Sequence, residues 1–164
     1  MSGWKSPINQ CALLEGLSPQ DVQRDCPAAT IASFRHGSAI YHQGRRCDDL
    51  FCILDGQVKL GRVSRDGREL TTALMTAGEF FGPALGAQGV REALETAAAR
   101  GPVAVWRVAA KEFHELMLNQ PALGSRMVEA LARRQRQMER RLECFAFKRA
   151  EARSGLSRTP RPST

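Results

Sequence analysis

The chain has 164 residues, 43% of them hydrophobic and 25% charged, which is enough for one real core and ordinary for a globular domain. No run of about 20 apolar residues occurs, so no membrane-spanning helix is encoded, and residues 1–10 lack a charged-then-apolar signal pattern, making the cytoplasm the expected location. The net charge of +7 sits entirely in the C-terminal part: residues 1–120 hold 13 Lys/Arg and 13 Asp/Glu, residues 121–164 hold 11 and 4.

In chain order, residues 1–12 are a polar lead-in, and Leu13, Leu14 and Leu17 are the first apolar cluster. Ser18-Pro19-Gln20-Asp21 has the form of a helix start, with Ser18 as N-cap, Pro19 at the first helical position and Asp21 three residues after the cap. The helix it opens runs to about Arg24 and stops at Pro27.

From Thr30 to about Met75, glycines recur at Gly37, Gly44, Gly56, Gly61 and Gly67, among short apolar segments (38–42, 50–54, 57–63 and 70–75). Strands at this spacing predict a small barrel or roll. Asp66-Gly67 is a hairpin signal. His36 and His42 fall near strand ends, and no second imidazole or carboxylate stands at metal spacing. Asp48-Asp49 has no nucleophile or base beside it, so catalysis is not supported. Five cysteines (Cys11, Cys26, Cys47, Cys52 and Cys144) include no close pair beyond Cys47 and Cys52, which argues against a disulfide framework and for a reducing compartment.

Gly78-Glu79-Phe80-Phe81-Gly82-Pro83 predicts a strand that leaves its sheet through a glycine turn, after which a proline is able to open a short helix. A helix start presents free N–H groups and is a natural seat for an anion; the plainer alternative is a connection that binds nothing. Glu95 to Ala99 is an Ala-rich return strand, 103–108 the last strand of the roll, and 110–119 a helix ending before Pro121.

From Ala122 to about Arg153 a single long helix is predicted, about 45 Å long at 1.5 Å per residue. Leu123, Met127, Leu131, Met138, Leu142 and Phe145 form a narrow apolar stripe on it. The stripe reads as a two-fold, coiled-coil-like dimer seam; a helix folded back on its own roll is the alternative. The arginines on its other faces suit a nucleic acid, an acidic surface or plain solvent. Residues 154–164, rich in Ser, Pro and Arg, cannot build a core and are expected to be disordered.

This order of features resembles the sensory half of the Crp/Fnr family of bacterial transcription regulators. The resemblance rests on Phe34-(x)2-Gly37-(x)2-Ile40-(x)3-Gly44, Leu50-Phe51-(x)2-Leu54-(x)-Gly56-(x)-Val58, Gly78 to Gly82, Thr96-Ala97 and residues 126–147, and it covers about 13–153. It implies a mainly β fold with flanking helices, α+β: a double-stranded β-helix or jelly roll of the cyclic nucleotide-binding type, followed by a long C-terminal helix. The expected domains are the β-roll over 13–120, the dimerisation helix over 121–153 and the tail over 154–164.

The resemblance also implies the site. In cyclic nucleotide-binding members the turn carries Phe-Gly-Glu and the return strand Arg-Ser/Thr-Ala; the matching positions here are Phe81-Gly82-Pro83 and Glu95-Thr96-Ala97. The candidate effector pocket is therefore Phe81, Gly82, Pro83, Ala84, Leu85, Glu95, Thr96, Ala97 and, on the long helix, Met138. The fold admits cAMP or cGMP, but Pro83 and Glu95 disfavour both: Pro83 loses a carboxylate and an N–H, and Glu95 puts a negative charge where a phosphate would sit.

The expected function is effector sensing and dimerisation for a transcription regulator, with an unidentified small-molecule effector and a homodimer through the long helix. DNA is expected as a partner only where a winged helix, absent from these residues, is supplied. The alternative is a stand-alone interaction module that heterodimerises with a full-length relative. No enzymatic role, catalytic residue or metal is expected, since three scattered histidines do not make a metal cluster of the cupin type.

Overall fold

A computed structural model of the chain describes residues 11–83 and 92–155. It divides into two compact units, Met1–Leu123 and Gly124–Thr164. The first begins with a 3-10 turn over Ala12–Leu14 that buries Leu13 and Leu14. Helix α1 (Pro19–Asp25) starts as the sequence predicts: the Ser18 hydroxyl accepts the Asp21 N–H at 3.1 Å and donates to the Asp21 carboxylate at 2.8 Å. Eight strands follow: β1 (Thr30–Phe34), β2 (Ala39–Tyr41), β3 (Asp49–Asp55), β4 (Gln57–Val63), β5 (Glu69–Thr76), β6 (Phe80–Phe81), β7 (Thr96–Ala99) and β8 (Val103–Ala109). Helix α2 (Ala110–Asn119) completes the unit, and α3 (Pro121–Gly155) begins at its end.

The strands form two antiparallel sheets, ordered β1-β8-β3-β6 and β2-β7-β4-β5. This is the jelly-roll architecture the sequence implies. Between the sheets lie Tyr41, Phe51, Ile53, Val58, Leu60, Met75, Phe81, Ala97, Val103 and Val105. Tyr41, Phe51 and Phe81 make an aromatic trio, with ring centroids 5.2–6.1 Å apart. Strand β3 buries five residues in succession, because its sheet is covered on both faces. Phe51 and Ile53 belong to the inter-sheet core, while Phe80, opposite Cys52 in the ladder, packs on Trp106 and on Phe113 of α2.

Two glycines are dictated by close approach. Gly56 turns β3 into β4 at φ +91°, where a Cβ would collide with the carbonyl of Pro102. Gly82 ends β6 at φ +140°, and a Cβ there would lie 2.7 Å from the Asp49 carbonyl oxygen.

Three expectations need correction. Ser154 and Gly155 belong to α3 and not to the tail, and the Ser154 hydroxyl donates back to the Ala150 carbonyl at 2.7 Å. Residues 156–164 lie outside the described residues. Leu123, assigned to the dimer seam, is fully buried in the single chain, so its side chain is not free for a partner. Cys11 and Cys52, distant in sequence, meet in the core.

Candidate functional site

The expected pocket residues come from both sheets. Strand β6 pairs with β3 through Phe81 opposite Phe51 and Phe80 opposite Cys52, and delivers Gly82 and Pro83, both half-buried, at its end. In the other sheet β7 lies between β2 and β4, with Ala97 opposite both Tyr41 and Leu60 and Thr96 opposite Gly61. Phe81 and Ala97 have no exposed surface and share the inter-sheet core, so their part in a site is to hold its floor. Ala84 and Leu85 lie outside the described residues. Met138 stands on α3, just over half exposed.

Glu95 and Thr96 are half-buried and hydrogen-bonded. The Thr72 hydroxyl of β5 donates to the Glu95 carboxylate at 2.8 Å. The Thr96 hydroxyl accepts the Gln43 N–H at 3.0 Å. Gln43 in turn clamps the end of β4: its side-chain carbonyl accepts the Val63 N–H at 2.8 Å, and its amide donates to the Val63 carbonyl at 3.1 Å. Beside it, the Gly44 and Ala93 N–H groups donate to the Ala93 and Arg45 carbonyls at 2.7 and 2.8 Å, so the stretch after β2 runs alongside the approach to β7. The start of β7 is thus anchored from three strands. Glu95 makes no ion pair among the described residues.

Thr72 and Gln43 are the site residues that the sequence does not disclose. Both hold their partners through long-range pairs, Gln43 to Thr96 over 53 residues and Thr72 to Glu95 over 23, and no local pattern marks either. The acidic pair that could have suggested catalysis resolves structurally. Asp49 accepts from the Arg107 guanidinium at 2.5–2.6 Å, and the Asp48 carbonyl accepts the Ala110 N–H at the start of α2. His36 accepts the Gly101 N–H at 2.8 Å, a turn contact. Among the described residues no group of three or more His, Cys, Asp or Glu is placed to hold a metal ion, and no helix is long and apolar enough to cross a membrane.

Comparison with known proteins agrees with this architecture. Residues 31–120 match the family model of the cyclic nucleotide-binding domain. The cyclic AMP receptor protein of Thermus thermophilus is 28% identical over 142 residues, 86% of this chain and 65% of that protein. The global nitrogen regulator of Synechococcus elongatus is 29% identical over 119 residues, 72% and 54% of the two chains. The crystal structure of the Thermus thermophilus catabolite activator protein superposes with a TM-score of 0.64 at 27% identity, covering 82% of this chain and 63% of that one. This chain therefore spans between half and two thirds of the length of these relatives. With the family match extending over more than half of its residues and both sheets in the corresponding fold, the chain belongs to the cyclic nucleotide-binding domain family, and Crp/Fnr-type regulators are among its relatives.

Proposed function

We propose that this chain is the effector-sensing and dimerisation part of a Crp/Fnr-like transcription regulator whose pocket no longer suits cyclic nucleotides. The observation that carries the pocket reading is Glu95, a half-buried carboxylate that accepts the Thr72 hydroxyl and makes no ion pair among the described residues. Two unit charges 4 Å apart interact by about 4 kcal/mol at an effective dielectric of 20. Partial exposure discounts that figure, yet each 1.4 kcal/mol is about tenfold in affinity, so a repelled phosphate is enough to abolish a micromolar site. Pro83, with neither side-chain carboxylate nor backbone N–H, adds to the loss.

The dimerisation reading rests on α3. Leu131, Met138, Leu142 and Phe145 are 39–66% exposed in the single chain. At 100° per residue they fall, with Leu123 and Met127, within a sector of about 100°. The domain boundaries proposed are 13–120 for the sensor and 121–155 for the dimerisation helix. Sequence-specific DNA binding is proposed for an assembly that includes a winged helix, and not for these 164 residues alone.

Calorimetry with cAMP and cGMP tests the pocket. The expected result is no dissociation constant below about 10 µM. The double variant Pro83→Glu/Glu95→Arg is expected to tighten binding of cAMP relative to the parent. Micromolar binding by the parent protein would overturn the reading.

A further inference from the structure

The sulfurs of Cys11 and Cys52 lie 2.6 Å apart, against about 2.05 Å for a bonded pair. Neither side chain has exposed surface. Cys11 immediately precedes the 3-10 turn, and Cys52 is central in β3, between Phe80 of β6 and Trp106 of β8 in the ladder. The pair thus joins the start of the described fold to the strand that carries β6 and, through it, the Gly82–Pro83 turn. No third ligand completes a metal site among the described residues. Two thiols in contact, with nothing else to bind, have one chemistry open to them: mutual oxidation.

We propose that Cys11 and Cys52 are a paired-thiol modification site, which a hydroperoxide converts to an intramolecular disulfide. One sulfur attacks the peroxide O–O bond, giving a sulfenic acid and releasing water or an alcohol; the second sulfur then displaces the sulfenic hydroxyl as water. The S–S bond forms, the O–O bond breaks, and the two thiol protons leave in the products. The two electrons pass to the peroxide, so the exchange balances without a further reactant. Burial and the hydrogen bond to Cys11 push the Cys52 thiol up, which keeps it protonated near neutrality. The reaction therefore proceeds from transiently opened molecules, and a small oxidant is needed. The disulfide closes a loop across a separation of 41 residues and is expected to raise the thermal midpoint by roughly 5–15 °C.

The test exposes the intact protein to hydrogen peroxide, removes the excess with catalase, and counts thiols after denaturation. The expected count falls from five to three, and digestion yields a Cys11 peptide linked to the Cys52 peptide, cleaved by dithiothreitol. The midpoint rise disappears with the same treatment. Cys11→Ser is expected to remove both the link and the rise; Cys11→Ala serves where the serine impairs folding, and the parent peptide map decides even if neither variant folds. Survival of both thiols overturns the proposal, as does oxidation confined to exposed Cys144 or a link from Cys52 to Cys47.

Discussion

Gly82 shows how one backbone position shapes the candidate site. Its φ of +140° lies where L side chains are rare, and its missing Cβ leaves room for the Asp49 carbonyl. Gly82→Ala is expected to cost about 2–5 kcal/mol in urea unfolding, from strain plus overpacking. Gly67, at φ +80° with open space around it, bears strain alone, so Gly67→Ala is expected to cost clearly less. Cys26 makes a pH prediction. Burial, with the Glu112 and Asp25 charges adding to it, pushes its thiol up to about 12 from the ordinary 9.0. Between those values the native protein keeps a proton that the unfolded chain has lost. Stability from this group is therefore full below pH 9 and falls as pH rises towards 12, by up to about 1.4 kcal/mol per pH unit. Unfolding midpoints at pH 8 and 10.5 are expected to differ less in Cys26→Ala than in the parent. At this scale the sequence displays Gly82, Pro83, Glu95 and Thr96 because turn residues and a misplaced charge are local signals. It hides Thr72, Gln43 and the meeting of Cys11 with Cys52, since each depends on which strands become neighbours.

Among the elements, those with a complete local signal are predicted most closely. The sequence reading places β4 at 57–63 and α2 at 110–119, the bounds observed: α2 keeps its helical spacing throughout, and β4 alternates up to Leu60 before a register shift at Leu60/Gly61. Helix α1 is set by its cap. Ser18→Ala is expected to cost about 1 kcal/mol, read as a lower urea midpoint with unchanged slope, since the Asp21 N–H loses its side-chain acceptor and keeps only the Ser18 carbonyl. The Asp66-Gly67 hairpin likewise forms where expected, closed by the Ser64 N–H on the Arg68 carbonyl at 2.9 Å. Strand β1 is not singled out by the sequence: three of its five residues are exposed, and it is recruited by pairing with β8 more than by its own pattern. Ser154 and Gly155 continue α3 although their composition reads as tail, because extending an already formed helix needs no new nucleation.

For the whole molecule the decisive quantity is the apolar surface that α3 leaves uncovered. Leu142 and Phe145 are each about two-thirds exposed in the single chain. Fully burying such side chains is worth about 1.5–3 kcal/mol each, and this is the stabilisation on which the proposed pairing of two copies rests. Light scattering is expected to find twice the 18.1 kDa chain mass at micromolar concentration, and Leu142→Glu/Phe145→Glu to return the mass to that of one chain. A single-chain mass for the parent would refute the proposed seam. Because Leu123 is fully buried in its own chain, Leu123→Ala is expected to act on stability and not on this equilibrium.

Turn glycines, strand spacing, the Ser18 cap and the periodic stripe on the last helix are properties of neighbouring residues, and the sequence by itself determined the roll and the long helix. The tertiary structure alone decided that Phe81, Ala97 and Leu123 have no exposed surface, and that two buried thiols touch. Those outcomes follow from the order of strands in two packed sheets, which brings together residues 40 and more positions apart. No pattern within a local window encodes that order.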